Sequence, residues 1–186
     1  MTDTLAGKLL VAMPGIGDPR FDHSVILMCQ HDGEHAMGLV INKPKEQLTL
    51  SDVLDHLGIS ATGASAQRAV MDGGPVRPDR GYVLHTPDFT TKGATQPVAP
   101  GINLTATRDV LEAVAGEHAP ERFVLALGHS GWGAGQLEDE LKKNAWLVVE
   151  ASDAIVFGEG HDDKWQRAIK SLGIDPGQLM GDMGRA

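Results

Sequence analysis

The chain has 186 residues, 41% of them hydrophobic, with 25 acidic against 16 basic side chains and a formal net charge of −9. That is enough for one ordinary domain, which buries roughly 70% of its unfolded surface and needs neither disulfide nor structural metal to fold. The acidic balance argues against broad binding to nucleic acid or to anionic lipid, since both depend on clustered Lys and Arg.

The N-terminus, Met1-Thr-Asp-Thr-Leu5, lacks the basic and apolar regions of a signal peptide, and no apolar run approaches the roughly 18 residues of a membrane span. A cytoplasmic location is expected. Leu9–Ala12 reads as a short strand ending at Pro14. Val25–Gln30 and Met37–Asn42 are apolar runs rich in β-branched residues, and His31-Asp-Gly-Glu-His35 between them carries the Asp-Gly turn signal of a hairpin. Cys29, the only cysteine, falls inside the first run, so an inert buried thiol is expected and multi-cysteine zinc sites are ruled out.

Leu50, Val53, Leu54 and Leu57 form one helical stripe, with Thr49 and Asp52 as a capping box and Gly58 as its stop. Ser60–Gln67 and Pro87–Gly101 read as loops, and Val70–Met71 and Gly81–His85 as weak strands flanking Asp72-Gly-Gly-Pro75. A second helix runs from its Thr107 cap to Gly116, with Val110, Leu111 and Val114 inward. Arg122–Leu127 is a strand, Gln136–Asn144 a third helix and Trp146–Glu150 another strand. Asp163 and Gln166 are the expected caps of a fourth helix with Trp165, Ala168, Ile169 and Leu172 on one side. The tail over 176–186 is expected to fray. This order predicts a mixed sheet with about four helices packed on it, and no interdomain linker divides 1–186.

The sharpest local feature is Gly128-His-Ser-Gly-Trp-Gly-Ala-Gly-Gln136, read as a glycine-rich turn between a strand and a helix. That context suits a nucleophile elbow presenting Ser130, but the second glycine of the motif is missing because position 132 is Trp. The same loop also reads as an anion cradle, although it lacks a P-loop Lys-Ser/Thr and three acids follow inside the first helical turn. His31-Asp-Gly-Glu-His35 matches the H-x-x-E-H string of inverted zinc peptidases, whose chemistry requires a helix; on a hairpin tip it is a solvated turn. Glu159, His161, Asp162 and Asp163 look ligand-like but are read as loop and cap. No metal or cofactor is implied. The bends at Asn42-Lys43-Pro44 and Asp72-Gly73-Gly74-Pro75 read first as turn chemistry; the alternative is that Asn42, Lys43, Gly73 and Gly74, with His129, Ser130, Trp132 and Gln136, line one cleft left open by missing side chains.

Gly7–Pro14, Asp18–Phe21, Ser24–Ile26, Met37–Pro44, Gly73–Val76, Gly128 with Gly131-Trp132, Gly135–Glu138 and Asn144–Leu147 together resemble, in order, the bacterial AlgH/YqgE family. The resemblance implies a single α+β domain whose branched mixed sheet curls into a pseudo-barrel with helices outside. It implies little of function, since the family is largely uncharacterised and one branch is named as a regulator of alginate production genes. In that family the two positions after Gly128 are commonly aromatic and small; His129 and Ser130 depart from this, which lowers the weight on Ser130 as a nucleophile. The expected function is therefore non-enzymatic binding of a small molecule or protein partner, in regulation, without direct nucleic-acid or membrane contact. The alternative is a serine-dependent hydrolase using the 128–135 loop.

Overall fold

The computed structural model describes residues 4–14, 19–60, 68–158 and 160–178. Most of the loop expected over 60–67, the tail beyond 178, Asp18 and Glu159 lie outside these residues. The strands are β1 (Lys8–Ala12), β2 (Val25–His31), β3 (His35–Val40), β4 (Pro44–Thr49), β5 (Ala69–Asp72), β6 (Val76–His85), β7 (Thr95–Ala99), β8 (Ile102–Thr105), β9 (Phe123–Gly133) and β10 (Trp146–Glu150). The α-helices are α1 (Leu50–His56), α2 (Arg108–Ala115), α3 (Gln136–Lys142), α4 (Asp153–Val156) and α5 (Lys164–Lys170), and residues 176–178, expected to fray, are also helical, with Pro176 buried.

All the strands join one sheet in the order β10-β1-β2-β3-β9-β6-β8-β7, with β4 and β5 branching from it. Every pairing is antiparallel except β5 with β9. The sheet curls into a half-barrel that brings the chain before β1 against β7. Gly7, just before β1, lies so close to Val98 of β7 that an added Cβ would sit 2.7 Å from the Val98 carbonyl oxygen. The inner face is one apolar cluster drawn from both ends, including Leu9, Leu27, Leu39, Leu84, Val124 and Val149, and Phe157, Trp165 and Ile169 close it. Outside, α1 and α2 cover one half through Leu50, Leu54, Val110 and Val114 against Val83 and Leu125. The short α3 covers the other half, with Leu137 packed beside Trp132 and Trp146.

Local signals were the most legible. The Thr49–Asp52 capping box forms: the Thr49 N–H donates to Asp52 Oδ2 at 2.8 Å and the Asp52 N–H reaches back to Thr49 Oγ1. At α5 the expected cap fails, because Asp163 is already in helical backbone geometry at the end of a 3₁₀ turn and its side chain makes no capping bond. Its carboxylate instead faces Arg167 at 4.0 Å. The one-turn α4, capped by the Ser152 hydroxyl on the Ile155 N–H, adds a helix to the four expected.

Three strand readings are corrected. β6 begins at Val76, five residues before the expected Gly81. Part of the expected 87–101 loop is β7, which pairs with β8 to form a hairpin at the edge of the sheet; Pro97 is tolerated on such an edge strand. Most consequentially, β9 does not end at Leu127 but runs on to Gly133.

A buried polar chain fixes the β6–β8 pair. His85 Nδ1–H donates to the Thr86 carbonyl at 2.8 Å, so Nε2 accepts from the Thr105 hydroxyl at 2.7 Å. Thr105 in turn accepts from Thr95 at 2.8 Å, and Thr95 accepts the Thr91 N–H. His85 is fully buried, and burial holds its pKa below the ordinary value, which keeps the imidazole neutral as the chain requires. Thr105→Val leaves Nε2 without a donor, and urea unfolding at pH 7.5 is expected to show a loss of about 1–3 kcal/mol.

Candidate functional site

β9 is the centre of the molecule. Its Leu125–Leu127 segment is paired on one edge with β6 and on the other with β5. From Ser130 to Gly133 the β5 edge is taken over by β3. The sheet therefore forks, and Gly73 sits in the fork: its N–H donates to the Leu127 carbonyl at 2.8 Å, and its carbonyl accepts the Val40 N–H at 3.0 Å. Space in the fork is so tight that a Cβ on Gly73 would lie 2.3 Å from the Gly128 oxygen, and one on Gly74 would lie 2.3 Å from the His129 carbonyl. Gly128, at φ +77°, turns the strand where Gly74 crosses it. The room left by the absent side chains is filled here by neighbouring backbone.

This geometry removes the strand–turn–helix context of an elbow. Ser130 is buried, and its hydroxyl donates to the Gly73 carbonyl at 3.2 Å. His129, on the opposite side of the strand, bonds instead to Tyr82, Nδ1 to Oη at 3.0 Å. Trp132 and Gln136 belong to a third location, where both donate to the Glu140 carboxylate, as does Trp146. Gln136 Oε1 also accepts the Gly133 N–H at 3.1 Å, which ties α3 to the end of β9. Asn42 is buried as a brace, its Oδ1 accepting the Val25 N–H at 2.9 Å and its Nδ2 donating to the His23 carbonyl at 2.8 Å.

Lys43 and Gly74 do come together. They line a cavity of about 250 Å³ with Pro19, Phe21, Val40, Asp72 and Pro75. Lys43 Nζ donates to the Asp22 carbonyl, and Asp72 Oδ1 accepts the Gly74 N–H at 3.3 Å. An ammonium and a carboxylate thus share one small pocket whose other walls are Phe21, Val40 and two prolines. Asp72 and Pro75 flank the glycine bend already singled out, whereas Pro19, Phe21 and Val40 were missed from sequence. Pro19 and Phe21 lie in a 3₁₀ turn far along the chain from residues 72–75, and no local pattern announces the meeting.

A larger, apolar groove of about 540 Å³ lies between α1 and α2, walled by Leu48, Val53, Leu57, Leu111 and Leu127. The histidines of the hairpin tip go separate ways. His31 accepts the Leu5 N–H and lies 2.7 Å from Glu138, while His35 faces Asp32 at 3.4 Å. Among the described residues no three His, Cys, Asp or Glu side chains are grouped to hold a metal ion. Cys29 is buried, with its thiol pushed up to about 12 by desolvation. No helix among the described residues is long and apolar enough to cross a membrane.

Residues 9–177 match the model of the AlgH-like family, and the chain belongs to that family. It is 48% identical to a UPF0301 protein of Caulobacter vibrioides, over 98% of this chain and 94% of that one. It is 50% identical to a UPF0301 protein of Ruegeria pomeroyi, over 98% of this chain and 99% of that one. The solution structure of AlgH from Pseudomonas aeruginosa is similar, with a TM-score of 0.79 and 36% identity across 97% of each chain. A Corynebacterium diphtheriae protein at 20% identity shares the fold, with a TM-score of 0.75 over 96% of this chain and 92% of that one. The curled α+β sheet with outer helices, expected from the resemblance, is the observed fold.

Proposed function

We propose that this chain is a non-catalytic binding protein that holds a small polar or zwitterionic molecule in the cavity beside Lys43, Asp72 and Gly74, and acts in regulation through that ligand. One observation carries the reading. Six of the seven lining residues come from three segments that carry the family resemblance, Asp18–Phe21, Met37–Pro44 and Gly73–Val76. None of those segments contributes to the larger groove between α1 and α2. A pocket this small suits a metabolite below drug size, with its charged groups met by the Lys43 ammonium and the Asp72 carboxylate. The burial of Ser130 and its bond to Gly73 favour this over hydrolase chemistry.

The test is an NMR titration of the protein with a panel of free amino acids and small carboxylic acids. At least one member is expected to shift the Lys43 and Gly74 resonances saturably, with affinity falling tenfold or more in Lys43→Ala and unchanged in Leu111→Ser. Loss in Leu111→Ser alone would move the site to the groove. Labelling of Ser130 by a fluorophosphonate would overturn the non-catalytic reading. With the chain at −9, purified protein is expected to leave duplex DNA unshifted at physiological salt.

A further inference from the structure

Where β9 advances two residues, from Leu127 to His129, its partner β6 spans five, from Gly81 back to Val76. The surplus is an outward bulge over Arg77–Arg80, and Arg77 holds a left-handed backbone at φ +47°. Bulges of this kind re-aim side chains at the rim of a curled sheet. This one bears on Gly128, with the Pro78 Cα 3.2 Å from where a Cβ would stand. Two exposed arginines are thereby set beside His129. The Arg80 guanidinium carbon lies 5.4 Å from the Tyr82 ring centroid, and the Tyr82 and His129 rings meet edge to face at 5.6 Å.

Neither guanidinium forms an ion pair among the described residues, although the chain is acidic overall; Lys8, Arg108 and Arg167 all have carboxylate partners. Asp79, between the two arginines in sequence, lines the groove by α1 and α2 together with Gly81 and Leu127. Burial, then the charges of Arg77 and Arg80, hold the His129 pKa below its ordinary value. Two guanidinium groups and a neutral imidazole have thus been brought together, with no carboxylate ion-paired to either arginine among the described residues.

We propose that Arg77, Arg80 and His129 form a receptor for a small oxyanion, of the class of a phosphate monoester. Forked guanidinium groups match the oxygens of such an anion, and a protonated His129 donates Nδ1–H to the Tyr82 oxygen while keeping Nε2–H for the ligand. None of the three side chains lines the Lys43 cavity.

The experiment is an NMR titration of the full chain with inorganic phosphate, against chloride at matched ionic strength. Phosphate is expected to shift the Arg77, Arg80 and His129 resonances saturably and to raise the His129 pKa. Arg77→Gly, which removes the charge and relieves the left-handed strain, should weaken binding tenfold or more when combined with Arg80→Ala. A thermal melt of that variant confirms that it is folded. Equal shifts with chloride, or undiminished phosphate binding in the folded double variant, would overturn the proposal. So would binding to anionic lipid vesicles or duplex DNA with none to phosphate.

Discussion

Gly73→Ala is expected to lower the unfolding free energy by about 3–5 kcal/mol, among the largest effects of any single methyl group in this chain. The added Cβ would stand 2.3 Å from the Gly128 carbonyl oxygen and 3.1 Å from the Ala126 Cβ. Neither neighbour is the end of a flexible side chain that can swing aside. Gly128 belongs to β9, which is held by β6 on one edge and by β5 and then β3 on the other, so relief requires separating strands. It would also lengthen the Gly73 N–H bond to Leu127 and the Val40 N–H bond to Gly73. Domains of this size have roughly 5–15 kcal/mol in total, so the variant loses a large fraction of its stability. The melting temperature should fall by about 10 °C. Gly33→Ala, at the hairpin tip with nothing within 4 Å of the new Cβ, is the control and should change stability by under about 0.5 kcal/mol. Equal stability of the two variants would show that the fork relaxes.

Raising the pH from 7 to 9 is expected to stabilise the protein by roughly 2 kcal/mol, a response carried by Lys164. This side chain is fully buried, and Nζ donates to the Ile41 carbonyl at 3.0 Å and the Val156 carbonyl at 2.9 Å. Desolvation, assisted by the nearby Arg167 charge, brings its pKa from 10.5 down to about 7. Between those values the unfolded chain binds a proton that the folded chain does not, so stability rises with pH at up to about 1.4 kcal/mol per unit. Below pH 7 both states are protonated and the burial penalty is fully present. Cys29 works in the opposite direction: its thiol titrates near 9.0 when unfolded and at about 12 when folded, so its contribution is lost above pH 9. Stability measured by urea unfolding should therefore climb to about pH 9 and level off. Lys164→Met should flatten the climb, whatever it costs to leave two carbonyls without their donor. Cys29→Ala should extend the climb toward pH 10. A wild-type profile level from 7 to 9 would refute the assignment.

What the sequence made legible was local. The capping box of α1, the β2–β3 hairpin and the inward faces of α2 and α5, apart from Leu172, which lies beyond α5 and is exposed, each depend on residues within one or two turns of each other. The errors fall where partners are remote. Residues 128–133 look like a turn because four of the nine residues from Gly128 to Gln136 are glycine, and glycine usually ends strands. Here Gly128 allows the crossing with Gly74, and the strand continues because β3, some 95 residues earlier in the chain, supplies its next set of hydrogen bonds. β4 was invisible because Pro44-Lys-Glu-Gln carries no strand signature; it exists as an outer strand on β5. The candidate site was half legible for the same reason. Lys43, Asp72 and Gly74 stood out as bend residues, whereas Phe21 and Val40 gain meaning only from the fold that brings them together.

The fork also governs the order in which the chain can be completed. During synthesis the edges of β3, β5 and β6 emerge long before residues 123–133 arrive to join them, and β1 waits for β10 to cover its other edge. Until then the ribosome carries several apolar strands with unpaired backbone, a template for intermolecular aggregation. A nascent chain arrested before residue 133 should therefore be a strong client of chaperones, whereas release past β10 lets the last strands lock both halves in a single late step.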